Sequence, residues 1–162
     1  MHWQTIADSL RTELAEYGAL LGLFEQQQQS LFARDADAVL RIGGELEAQA
    51  AILQECRRER ERATASFATA LGLPADSTLR SLLPHVEADA RPLLEALINE
   101  VNHLLHRVRR TSRQNHTLLS RAVELNQELL RQLRPDAFTK TYSAAGRVSL
   151  AGANTPALRV AG

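Results

Sequence analysis

Several things this chain has little of narrow its options at once. Aromatic residues make up 4% of the 162 positions, so any core must be built from Leu, Ala and Val. That composition suits helices meeting along narrow seams better than a barrel or a sandwich. Cys56 is the only cysteine, which excludes an internal disulfide and fits a reducing compartment. Net charge is absent too, with 19 basic residues against 19 acidic ones, so no global field draws the chain to nucleic acid or an anionic membrane. Lysine is nearly missing: Lys140 is the sole example and arginine supplies the rest. No run approaches the roughly 18 uninterrupted apolar residues that a membrane span needs. Met1-His2-Trp3-Gln4 is not a basic segment followed by an apolar one, so no secretion signal is visible. These features lead us to expect a cytoplasmic protein with no direct membrane insertion.

What is present is helical periodicity. Trp3, Leu10, Tyr17, Phe24 and Leu31 fall seven apart, with Ala7, Leu14 and Leu21 four residues after the first three. This heptad seam predicts a helix over about 3–33. Asp35-Ala36-Asp37 breaks it, and Asp37 is the expected cap of a second helix over 37–71. Val39, Leu46, Leu53 and Phe67, with Ile42, Cys56, Ala63 and Ala70, form its seam, which Arg60 interrupts. Gly43-Gly44 inside this helix suggests a bend or a close crossing. Leu71-Gly72-Leu73-Pro74 supplies a glycine stop. Ser77 is the expected cap of a short helix over 78–83, whose Leu79, Leu82 and Leu83 would plug one end of a bundle. A last helix runs from Arg91-Pro92 to Leu133, about 60 Å at 1.5 Å per residue.

From Pro135 onward the chain is small and polar, with no acid after Asp136. It has too little apolar area to order itself. The expected fold class is all-α: an elongated antiparallel three-helix bundle over 1–134 with coiled-coil-like packing. A disordered tail over 135–162 follows it.

Residues capable of chemistry are sparse. His103, His106 and His116 share the last helix, yet only Glu100 stands near as a further ligand, so they read as polar-face histidines. Cys56 falls in an apolar register and reads as a small core residue. No phosphate loop, nucleophile elbow or paired Glu-x-x-His motif is present, so neither catalysis nor a cofactor nor a metal is expected. Arg57-Arg58-Glu59-Arg60-Glu61-Arg62 carries only two net charges and no interleaved aromatics, so nucleic acid is not expected as a partner.

The last helix changes character along its length. Its first half keeps its apolar residues in three adjacent heptad columns. The second half continues these with Asn115, Leu118, Leu119, Ala122, Leu125, Leu129 and Leu133, and adds a fourth column, Val123 and Leu130. The stripe widens by about 50°. Either it is a groove for a partner's amphipathic helix, or the bundle packs more fully here, or it is a homodimer seam.

The run Asn115-His116-Thr117-Leu118-Leu119, then Glu124-Leu125-Asn126-Gln127, then Leu133-Arg134-Pro135, then Thr141-Tyr142-Ser143-Ala144-Ala145-Gly146 resembles the FlgN family of flagellar type III export chaperones. One departure is Ser143-Ala144-Ala145, where the family often has a Gly-x-Asp type of turn. The resemblance implies a cytoplasmic chaperone for hook-associated proteins, those of the hook–filament junction. It places the client's C-terminal helix on Asn115, Leu118, Leu119, Ala122 and Val123, continuing over Asn126, Leu129, Leu130 and Leu133. It also implies docking on the cytoplasmic domain of an export-gate membrane protein through Tyr142 and Gly146. The competing expectation is a coiled-coil adaptor or homodimer that holds no client.

Overall fold

The computed structural model describes residues 2–133 and, beyond them, the backbone of 140–142 and 148–150. Helix α1 spans His2–Ala33, α2 Ala36–Ala70, α3 Leu79–Leu82 and α4 Arg91–Leu133. A 3-10 turn over Leu83–His85 joins α3 to the segment before α4. Two three-residue strands follow, β1 (Lys140–Tyr142) and β2 (Val148–Leu150), paired antiparallel with Tyr142 opposite Val148. The described chain divides into two compact units, 1–116 and 117–162, and α4 contributes to both.

The helix ends follow from backbone bonding. Arg34 adopts a left-handed φ of 57°. Its N–H donates to Leu31 O and that of Asp35 to Ser30 O, which satisfies two carbonyls left open by the end of α1. Asp35 then accepts from Ala38 N at 3.0 Å and so caps α2. The cap is therefore Asp35 and not Asp37: the left-handed turn at Arg34 sets Asp35, three residues before Ala38, at the capping position. The end of α2 repeats the pattern, with Gly72 at φ 72°, Gly72 N bonded to Thr69 O and Leu73 N to Ala68 O. At α3 the expected cap is also displaced, here by one residue. Thr78 accepts from Ser81 N, whereas Ser77 donates its hydroxyl to Pro74 O in the preceding turn. Arg91 ties the following turn together by donating to the carbonyls of Leu83, Pro84 and Val86.

Within the first unit the helices run up, down and up. Bonds from Gln49 to Glu16 and from Arg60 to Glu13 pair α1 with α2 in antiparallel sense. Asn115 bonds to Phe24 on α1. The core holds Ile6, Leu10, Tyr17, Leu20 and Leu21 of α1, Ile42, Leu46, Leu53 and Phe67 of α2, and Leu94, Val101 and Val108 of α4. Leu79, Leu82 and Leu83 are buried with them, as their spacing suggests. Two features of the seams differ from the heptad reading. Ile6, Glu13 and Leu20 are buried alongside the expected column, because α1 contacts both long partners and needs a broader face than a two-helix seam. Ala70 is exposed, lying in the last turn of α2. A Cβ built at Gly43 or Gly44 meets no atom within 4 Å, so neither marks a close crossing.

Thr141, Tyr142 and Val148 are residue types that favour extended backbone. The rest of the expected disordered segment lies outside the described residues.

Candidate functional site

The apolar stripe of α4 changes from covered to open near Asn115. Upstream, Leu94, Val101, Val108 and Asn115 recur every seven residues and are buried. Between Thr117 and Leu133 no described residue is buried, although the apolar pattern persists. Val123, Leu130, Leu129 and Leu133 are 46, 51, 55 and 78% exposed. At 100° per residue, the arc from Leu125 through Leu118, Leu129, Ala122, Leu133, Asn126, Leu119 and Leu130 to Val123 covers about 160°. The opposite face carries Arg121, Glu124 and Glu128, and Glu128 is paired with Arg131 at 3.0 Å. An α-helix satisfies its own backbone, so this face offers side-chain contact area and few main-chain hydrogen bonds.

The residues assigned to client contact separate into three groups. Leu119, Val123, Asn126, Leu129, Leu130 and Leu133 stand on the open face, and Leu118 and Ala122 are half-buried along it. Asn115 is not on the open face. It is 2% exposed and its amide donates to Phe24 O at 2.7 Å and Gln27 Oε1 at 3.1 Å. It is a bundle residue, because α1 already occupies its side of the helix. Leu125 joins the site instead, 66% exposed beside Leu129. Its column with Leu118 was the available signal. For Tyr142 the structure gives the β1 backbone alone, and Gly146 lies outside the described residues.

Other candidates resolve differently. His103, His106 and His116 are exposed, and among the described residues no group of three or more His, Cys, Asp or Glu is placed to hold a metal. Burial raises the Cys56 thiol pKa above its ordinary 9.0, reinforced by Glu16, Glu59 and Glu13, so the thiol is held protonated. In the arginine run, Arg58 and Arg62 share the Glu55 carboxylate and Arg60 reaches Glu13, so three of its four arginines have acidic partners within the protein. No described helix is long and apolar enough to cross a membrane. Phe32 and Leu40, 68 and 76% exposed, lie off the heptad columns at the turn between α1 and α2, where periodicity gives no warning of them.

A family model described as FlgN protein matches residues 1–149. No curated protein and no solved structure matches the chain. The match spans nearly the whole sequence, both the helices and the segment carrying Tyr142: this chain belongs to the FlgN family of flagellar export chaperones.

Proposed function

We propose that this protein holds the C-terminal helical segments of hook-associated proteins on the open face of α4 and delivers them, in the cytoplasm, to the flagellar export gate. The observation that carries this reading is the four-turn apolar stripe from Leu118 to Leu133, left uncovered in a protein of a chaperone family that is not known for enzymes. A client with an amphipathic terminal helix presents the complementary stripe, and covering it suppresses premature assembly and aggregation.

Magnitudes suit a carrier. Side chains such as Val123, Leu129 and Leu130 are already about half covered, so burying the remainder recovers about 1 kcal/mol each. Six such residues give about 6 kcal/mol, while association costs about 4 kcal/mol or more. Affinity from this face alone is modest, and modest affinity permits release. Tyr142 and Gly146 are the proposed contact with the cytoplasmic domain of the gate protein, which keeps delivery separate from holding.

The test is Val123→Asp with Leu130→Asp. The double variant is expected to keep a helical circular dichroism spectrum and to lose co-purification with a hook-associated protein's C-terminal segment. Retained binding removes the stripe from the client site. A tight dimer that the double variant converts to monomer, with no client bound by either form, supports the homodimer or adaptor reading instead.

A further inference from the structure

Asn115 and Asn126 are separated by eleven residues, three turns of helix, which returns the second to within about 20° of the first on α4. One of them is already engaged. Asn115 is buried among apolar neighbours at heptad spacing and donates its amide to the main-chain carbonyl of Phe24 and to the side chain of Gln27. A helix carbonyl keeps a second lone pair after its own helical bond, so it accepts such a donor without breaking the helix. Asn126 has the same side chain, exposed, near the middle of the open arc between Leu119 and Leu133. By helical spacing the two asparagines fall in one stripe of α4, and the occupant that its exposed part fits is another helix.

We propose that Asn126 sets the register of the client helix by donating its amide to a polar side chain of that helix, as Asn115 does to Gln27 of α1; this rests on the client reading above. A polar amide at the centre of a covered apolar stripe loses water and costs free energy unless paired. In one register it meets a Gln-like side-chain acceptor, as Asn115 meets Gln27. Slipped by one turn or reversed, it meets apolar side chains and is left unpaired. Leu119, Leu129, Leu130 and Leu133 supply contact area in any of these arrangements, since apolar contact is not directional. Asn126 is then the residue that separates them, at a cost in affinity, as a single buried Asn does in a coiled coil.

The experiment uses the full chain with Cys56→Ser, a nitroxide at position 121 through Arg121→Cys, and a synthetic C-terminal segment of a hook-associated protein with a nitroxide near one end, where both a slip and a reversal move the label. Pulsed electron resonance measures the distance between the labels, and titration measures affinity. With Asn126 present, a single narrow distance is expected. With Asn126→Leu, binding tightens about threefold or more while the distance distribution broadens or splits. Circular dichroism checks that the variant stays helical. A single unchanged distance in Asn126→Leu overturns the register role and leaves the client reading standing. Failure of the unmodified chain to bind the segment, or its pairing with a second copy through this face, overturns both.

Discussion

Arg60 on α2 places Nε 2.6 Å from Glu13 Oε2 on α1, and that carboxylate is 1% exposed whereas the arginine keeps 21% of its side chain open. The heptad pattern of α2 marks Arg60 as an interruption; in the structure it is the partner of a charge inside the seam. A buried carboxylate is tolerated because it is paired, and removing one partner leaves the other uncompensated. Arg60→Ala is expected to cost about 2–4 kcal/mol in urea unfolding. Replacing both, Glu13→Leu with Arg60→Leu, is expected to recover most of that loss. Equal losses in the single and double variants would mean that the pair's aliphatic packing, not its charge, matters.

Tyr17 lies one turn along from Glu13 and is almost fully buried. Burial pushes its phenol pKa above the ordinary 10.0 and the Glu13 charge adds to this, while Arg57, Arg60 and Arg109 pull the other way. The folded protein therefore holds the phenol proton more tightly than the unfolded chain does. The associated stability is fully present below pH 10.0 and is lost as pH rises through the higher folded pKa. Tyr17→Phe, which cannot ionise, is expected to flatten the decline of unfolding free energy above pH 10.0 relative to the unmodified chain. Identical alkaline slopes would assign that decline to other groups.

Much of the architecture was legible because it is repetitive. Trp3 to Leu31 and Leu94 to Val108 announce their helices by spacing, and Gly72 announces a stop that the chain makes with a left-handed φ. The hidden parts depend on what faces what. Nothing in the neighbourhood of Glu13 says that an arginine 47 residues away will reach it. Asn115 shares the face of Asn126 and Leu129, and only the position of α1 separates a bundle residue from an exposed one. The caps at Asp35 and Thr78 each sit one or two residues from the expected cap, since capping depends on dihedral angles that several adjacent polar residues are equally suited to adopt.

The turn at Arg34 and Asp35 carries opposing contributions to stability. Asp35 satisfies an otherwise open N–H of α2, so Asp35→Ala is expected to destabilise by about 1 kcal/mol. Arg34 holds a left-handed φ that glycine adopts without penalty from a Cβ. Arg34→Gly is therefore expected to stabilise by about 0.5 kcal/mol, the relief being offset in part by the greater freedom of glycine in the unfolded chain. Denaturant midpoints of the two variants should move in opposite directions. A loss from Arg34→Gly as large as that from Asp35→Ala would show that the arginine side chain contributes more than its backbone strain costs.

Tyr142 tests whether holding and delivery use separate contacts. It stands in β1 opposite Val148, later in the sequence than the helices and the open face of α4. A tyrosine offers a large apolar ring and a hydroxyl for the loss of few rotatable bonds, which makes it an effective anchor for a weak interface. Tyr142→Ala is expected to leave helical content and client affinity unchanged. Its affinity for the isolated cytoplasmic domain of the export-gate protein should fall by about tenfold or more, and client secretion should fall with it. Loss of client affinity in the same variant would merge the two contacts into one. Normal secretion and gate binding would remove Tyr142 from delivery and leave the client contact on the open face of α4 standing.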